Sequence, residues 1–302
     1  MRLVYDVDDL LLQYRRAPKP GPGKLVQLVG IGDLDGYNPS GPVPDDPQTH
    51  AYVRVEPRQD EFASWSVPFR QLATDVWEID EDLPMLRLQD PFVARIHGTL
   101  VVGGVRILAR RRSWVQLETV FLRGESPAEL VEFARSPQNM KDVRLVELEG
   151  LRVGVFTRPQ GGMAGRGRIG YTEVLGLDAL TTTAMVDAEL LETQPVAEHW
   201  WGANAVYILG EGMLGVLGHI AKLEGATQHY YPMAFIFDPR ERRVVRGPTI
   251  IAARSCFPPS AAKREDLEDV IFPASIDRDR GLLFGGLSDT AIGVLPIKDP
   301  FR

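Results

Sequence analysis

The chain has 302 residues, with 41 acidic side chains against 34 basic ones and a formal charge of −7; it has no basic block or RNA-binding aromatic motif, which argues against a nucleic-acid partner. Apolar residues at 44% and charged residues at 25% describe a globular chain with a substantial core rather than a disordered one. The single cysteine, Cys256, excludes an internal disulfide, and no Cys/His cluster has zinc spacing, so neither a metal nor a cofactor is expected.

Residues 1–14, MRLVYDVDDLLLQY, meet acids from Asp6 onward and lack the apolar run of a signal peptide or membrane span, so no membrane association and a cytoplasmic location are expected. Residues 3–16 fit either a strand or a short helix. Pro and Gly mark a loop at 18–23, and KLVQLVGIG at 24–32 reads as a strand. NPSGP at 38–42 forces a turn: two prolines deny helix, and Asn38, preceding Pro39, is expected to be extended. Asn38 then either presents its amide outward or serves its own Asx turn. In the strand at 51–55, Tyr52, Arg54 and Glu56 share one face and Val53 and Val55 the other. Arg54, Glu56 and Arg58 are either a solvated edge or the ion-paired wall of a cleft. Residues 62–84 supply outer strands and a connection.

QDPF at 89–92 opens a new unit, 114–123 gives another strand, and SPAELVEFA at 126–134 reads as a short capped helix with Pro in its first turn. The loop at 158–170, RPQGGMAGRGRIG, does not join a strand to a long helix, so a phosphate-loop reading fails. Its three arginines either hold an anion or pair with neighbouring acids. A short helix is expected within 181–191. Trp200 and Trp201 in HWWGAN are either core or a flat face for a sugar ring. His219 ends an apolar hairpin, as either a hydrogen-bonded structural residue or a catalytic one. HYYP at 229–232 starts the following strand, and REDLED at 264–269 sets four acids before another.

One plan recurs along the chain. A polar residue opens an apolar strand, a Gly-bearing turn reverses it, and a second apolar strand ends in Gly or a charged side chain. Copies run at 90–106, 141–158 (KDVRLVELEGLRVGVFTR, the cleanest), 204–219 and 269–289, with a weaker fifth where Asn38 precedes 51–58. The openings Asn38, Asp90, Asp142, Asn204 and Asp269 are separated by 52, 52, 62 and 65 residues. Dispersed turn residues, 29 Gly and 23 Pro, fit the same all-β picture. These periods predict a five-bladed β-propeller as a single domain over 1–302, in preference to a β-sandwich, which leaves the repeats unexplained.

In a propeller the first strand of each blade is innermost and all blades face the same way, so the five openings should ring one mouth. Arg144 lies on Asp142's side, and the far hairpin ends Arg106, Arg158, His219 and Asp289 return toward the same mouth. Crowded carboxylates acquire separated pKa values, the requirement for an acid and a base in glycosidic-bond cleavage. Asp90, Asp142 and Asp269 are the candidate catalytic residues. Asn38, Arg144, Arg158, Asn204, His219, Tyr230 and Glu268 are the candidate substrate-binding residues, with Lys141 among the compensating cations. The expected partner is a small oligosaccharide; a non-catalytic carbohydrate-binding propeller is the alternative.

QDPF, KDVRLVEL, FTRPQG with GRGRIGYT, WGAN, GVLGHIAK, HYYPMAFIFDP and EDLEDVIFPA with GGLSD together resemble the bacterial family termed domain of unknown function 1861, over almost the full chain. More remotely, that family is similar to five-bladed propeller glycosidases and to the β-mannoside phosphorylases of glycoside hydrolase family 130. Gln89-Asp90-Pro91 is similar to their Glu-Asp-Pro-Arg, Gly218-His219 to their Tyr-His-Gly, and the strand at Asp269 to their last-blade Val-Phe-Pro. The resemblance implies a propeller and carbohydrate chemistry, by hydrolysis or phosphorolysis. Phe92 replaces the motif's Arg, which in that family helps bind phosphate or substrate. Val105 and Arg106 stand where those enzymes carry their general-acid Asp, which leaves the proton donor open.

Overall fold

Alternating apolar strands joined by tight turns bury both faces only when sheets stack side by side, and here they stack around an axis. The computed structural model describes residues 4–111 and 114–302. After β1 (Val4–Tyr5), α1 (Val7–Arg16), β2 (Lys24–Leu25) and β3 (Gln27–Val29), the first blade comprises β4 (Asp35–Tyr37), β5 (His50–Glu56), β6 (Trp65–Ala73) and β7 (Val76–Ile79). The second comprises β8 (Gln89–Ile96), β9 (Thr99–Arg111), β10 (Trp114–Gly124) and β11 (Val131–Arg135). The third has β12 (Arg144–Glu147), β13 (Arg152–Thr157), β14 (Gly170–Leu175) and, after α2 (Thr182–Val186), β15 (Glu189–Leu190). β16 (Gln194–Pro195) pairs with β1 outside the blades. The fourth blade has β17 (Trp200–Ile208), β18 (Leu214–Glu224), β19 (Thr227–Asp238) and β20 (Arg243–Ile250), and the fifth β21 (Asp269–Asp277), β22 (Leu282–Leu287) and β23 (Ala291–Pro296).

The fifth blade takes its outer strand from the other end of the chain. β2 runs antiparallel to β23, with Lys24 opposite Val294, and β3 then lies parallel to β7 on the outer edge of the first blade. The expected strand at 24–32 is therefore split at Val26, and its halves fasten the last blade to the first. Successive blades meet through β5 and β8, β8 and β12, β12 and β17, and β17 and β21, and β4, the inner edge of the first blade, meets β22 and β23, which closes the ring. A short parallel pairing, His229 opposite Asp269, also joins the fourth and fifth blades. The protein is an all-β, five-bladed propeller.

Each blade interface among the described residues has its own apolar cluster. Val43 and Tyr52 meet Leu100 and Val102 between the first two blades, and Phe92 and Phe121 meet Val143 and Val155 between the next two. Phe156 and Tyr171 meet Trp201 and Phe237 between the third and fourth, Leu217 meets Ile271 and Leu283 beyond that, and Val53 and Trp77 meet Phe284 and Val294 at the closure. Burial of this apolar area is the main favourable contribution to holding the sheets radially.

Residues 7–16 resolve as helix because Val7, Leu10, Leu11 and Tyr14 recur on one face and bury against the third and fourth blades. Asp6 caps the helix, its side chain accepting from the Asp8 amide at 2.7 Å, and Asp8, Asp9, Arg15 and Arg16 complement the helix dipole. The expected helix at 126–134 is instead a short 3₁₀ turn, Pro127–Glu129, followed by β11. Pairing of Leu122 with Glu132 and packing of Phe133 on Phe121 override the local helix signal. The helix within 181–191 covers only Thr182–Val186 before β15 begins. Among the described residues no helix is long and apolar enough to cross a membrane.

Candidate active site

Asn38, Asp90 and Asp142 occupy equivalent places at the entrances to the first three blades, and all three have left-handed backbone, with φ of 43°, 48° and 56°. Asn38 is thus not extended as its Pro neighbour suggested. Asn and Asp tolerate this conformation better than other non-glycine residues, which explains why these three openings are Asn or Asp. The register of β8 on β9 shifts between Gln89 and Phe92, so Asp90 leaves the ladder and turns toward the axis. The same device serves Asn204, which sits in the register shift between Ala203 and Ala205.

At this end of the axis all five blades enclose a cavity of about 270 Å³. Asn38, Asp90, Asp142, Arg158, His219 and Tyr230 line it, as do Arg54, Gln89, Lys141, Arg264, Phe272 and Asp289. Asp90 Oδ1 accepts from Asn38 Nδ2 at 2.8 Å and from Arg54 Nη1 at 3.1 Å. Arg54 is held from behind by Glu56, whose buried carboxylate also accepts from Tyr37, Ser64 and Lys263. The strand bearing Arg54 and Glu56 is therefore an ion-paired cleft wall and not a solvated edge.

Arg158 Nη1 stands 3.3 Å from Asp142 Oδ2, both side chains almost wholly buried, and neither atom has a hydrogen-bond partner in the protein. The glycines on either side of Arg158 make its position possible. A Cβ on Gly167 would lie 2.6 Å from Arg158 Cζ, and one on Gly202 would lie 2.8 Å from its Cδ and 2.6 Å from His219 Cε1. Arg158 Nε donates to the Trp201 carbonyl at 3.0 Å. Arg166, from the same Gly-rich loop, instead lies over the Trp200 ring at 4.5 Å. His219 Nδ1 donates to Asn204 Oδ1 at 2.8 Å, which leaves Nε2 as an acceptor.

Their surroundings push the pKa values of the cavity's carboxyls apart. Burial works to raise Asp142, but Arg158, Lys141 and His219 outweigh it and pull the carboxyl down to about 2. Burial likewise opposes ionisation of Asp90, and Arg54, Lys141 and the Asn38 amide hold it below the usual range. Asp289 goes the other way: burial, with Asp90 and Glu56 nearby, pushes it up to about 6 despite Arg54 and Lys263. Burial drives His219 down to about 3, so its ring is neutral at physiological pH.

The model for the family described as proteins of unknown function, DUF1861, matches residues 15–302. The chain belongs to DUF1861. No curated protein matches it in sequence. Among solved structures, this DUF1861 chain is similar to MPT-4, a mannose phosphorylase from Leishmania mexicana in complex with phosphate ion, at 28% identity and a TM-score of 0.88, over 97% of this chain and 93% of that one. It is similar to MPT-1, a GDP-Man-dependent mannosyltransferase from the same organism, at 25% identity and a TM-score of 0.87, over 98% and 95% of the two chains. A structure from the GH130 family of mannoside phosphorylases shares the fold at 11% identity, with a TM-score of 0.59 over 95% and 96% of the chains.

Four of the expected site residues of this DUF1861 chain lie elsewhere. Arg144 and Asn204 line a second cavity of about 440 Å³, beyond Phe272 on the axis. Arg144 donates from Nε to the Asn204 carbonyl at 2.7 Å and lies over the Phe92 ring at 4.5 Å. Asp269 begins a regular strand paired with β19 and has no left-handed backbone to turn it inward. It accepts from Tyr231 Oη at 2.5 Å and from His229 Nδ1 at 2.7 Å, tying two blades together. Glu268 is exposed. Arg106, also expected at the mouth, pairs with Glu118 and Glu132 on the outer strands of the second blade. Both tryptophans are core: Trp201 donates to Gln194 at 2.9 Å and packs on Phe235, and Trp200 donates to Tyr230 Oη at 3.1 Å.

Besides Phe272 on β21, the fifth blade brings to the cavity the far end of its hairpin, Asp289, whose φ of 55° matches those of Asn38, Asp90 and Asp142. Gly286, in the same hairpin, is wedged against Asn38, where a Cβ would lie 1.9 Å from Oδ1. Gly286→Ala is expected to push Asn38 off Asp90 and to lower stability by about 1–3 kcal/mol, the usual cost of overpacking. A urea midpoint equal to wild type would show that the wedge is slack.

Proposed function

We propose that this chain is a carbohydrate-active enzyme that cleaves a terminal mannosyl unit from a glycan using phosphate. The observation that carries this reading is the pairing, in one cavity, of a carboxyl held near 6 at Asp289 with ionised carboxylates at Asp90 and Asp142 and the cations Arg158 and Lys141. A carboxylic acid poised near neutrality suits general-acid work, and Arg158 Nη1, which has no protein hydrogen bond, suits an incoming oxyanion. The similarity to a mannose phosphorylase over nearly the whole of both chains supports the sugar and the phosphate.

In the proposed reaction a phosphate oxygen forms a bond to the anomeric carbon as the glycosidic C–O bond breaks. Asp289 gives its proton to the departing oxygen, and the proton left on the product phosphate returns to Asp289. The products are a sugar 1-phosphate and a glycan one unit shorter. Asp90 and Asp142, held ionised by Arg54 and Arg158, accept from sugar hydroxyls, and the neutral His219 offers Nε2 as a further acceptor.

The test is incubation of mannose oligosaccharides with and without inorganic phosphate. Sugar 1-phosphate formed only when phosphate is present is the expected result. Free sugar released at an equal rate without phosphate would make the protein a hydrolase. Sugar binding with no turnover under either condition would overturn the enzyme reading.

A further inference from the structure

Beside the axial cavity runs a groove of about 360 Å³, lined by Arg58, Arg110 and Lys263 together with Glu61, Phe62 and Arg264. The last three also line the axial cavity, so the groove begins where that cavity ends. The two banks are the loop that follows β5 and the segment that precedes β21, and Arg264 Nη1 reaches across them to Glu61 Oε2 at 3.4 Å. Both side chains are exposed, at 48% and 40%.

This contact is built to part. The Glu61 backbone is fixed, because its carbonyl accepts from Arg54 Nη2, Ser64 Oγ and Gln89 Nε2, and its carboxylate is left free to turn. Arg264 keeps a second carboxylate in reach, Asp266 Oδ1 at 3.1 Å from Nε. An exposed pair of long side chains contributes little to stability, so separating it is cheap, and the two hollows then join.

The geometry points to this groove as the subsite for the second sugar of the glycan, with the Glu61–Arg264 pair as a divider that the glycan displaces. The assignment rests on the glycan-cleaving reading above. The axial cavity alone falls just below the usual range for small-molecule sites, about 300–1,000 Å³, and suits one sugar with its phosphate. The groove's charges are already matched: Arg58 by Asp35, Lys263 by Glu56, and Arg110 by Asp60 at 3.6 Å. Such pairs offer donors and acceptors to an uncharged polyol without the excess positive charge that an anion requires. Phe62, with the Arg110 guanidinium 3.9 Å from its ring centre, adds an apolar surface between the two hollows.

The experiment measures calorimetric affinity for mannose 1-phosphate and for linear mannose di- and trisaccharides, with turnover of the glycans in parallel. It compares wild type with Arg110→Ala, whose exposed side chain lines the groove and not the axial cavity. Arg110→Ala is expected to weaken both glycans about tenfold and to leave mannose 1-phosphate within about twofold of wild type. Equal losses for all three ligands, or no loss for the glycans, would overturn the subsite. Glycan binding that depends on Arg110 without any turnover would keep the subsite and overturn the enzymatic reading. Absence of all sugar binding would overturn both.

Discussion

Asp289→Asn is expected to lower turnover by about 10²–10⁴-fold, the range for removal of a general acid, while leaving the folded protein at least as stable as wild type at pH 7.5. The two halves of this expectation have one cause. A free Asp titrates near 3.9, whereas Asp289 in the folded chain titrates at about 6. Between those values the folded state holds the proton more tightly, so the contribution of Asp289 to stability is complete below about pH 4 and is lost as pH rises through about 6. At pH 7.5 wild type must keep a carboxylate where burial, Asp90 and Glu56 all disfavour it. Asparagine removes that charge. The stability gap should therefore favour the variant at pH 7.5 and close toward pH 4, measured as thermal midpoints. The rate of the wild-type enzyme should fall as pH rises through about 6, since the proton to be donated is lost there. A variant with near-normal turnover and a lowered midpoint at pH 7.5 would make Asp289 a structural residue and return the proton donor to Asp90 or Asp142.

The convergence of blades was legible because a propeller repeats a strand plan, and the repeat survives in spacing even where residues differ. Asn38, Asp90 and Asp142 announced themselves as polar residues ahead of apolar runs, which is what a left-handed turn before an inner strand requires. The same signal misled at the fifth blade. Asp269 also precedes an apolar run, but it is itself a regular strand residue, and ladder pairing with His229 sets the side chain between blades. Asp289 follows an apolar strand rather than preceding one; the hairpin plan brings it to the mouth, but nothing local marks its carboxyl as the one with the raised pKa. Its role depends on burial beside Arg54 and Asp90, residues 235 and 199 positions away in the chain. Arg144 was misplaced for a related reason. The two-residue strand period sets it on the same side as Asp142, but Asp142 sits in the turn before β12 and Arg144 begins the strand, so the period does not yet apply.

Asp142→Asn should produce the largest loss of stability among single changes at the cavity. Asp142 and Arg158 form an ion pair with side chains 2% and 3% exposed, and breaking such a pair from one side typically costs about 3–5 kcal/mol because the remaining charge stays buried. Lys141 and Arg144 stand close enough to act on the same carboxylate, so its loss leaves several cations facing one another. On the order of a 10 °C drop in thermal midpoint follows. Removing both charges, in Asp142→Asn with Arg158→Gln, should recover part of that loss, since the uncompensated guanidinium is gone; the double-mutant cycle then reports a coupling well above zero. Acid supplies an independent check. Asp142 is held at about 2 in the folded chain, so its contribution is present above about pH 4 and disappears as pH falls through about 2. Wild type should consequently lose stability more steeply than Asp142→Asn below pH 4, and the two should converge as the carboxyl protonates. Parallel acid limbs, or a double variant no more stable than the single one, would mean that Arg158 is already compensated by the Trp201 and Arg166 carbonyls that accept from it. The unsatisfied Arg158 Nη1 would then have no energetic claim on an incoming oxyanion.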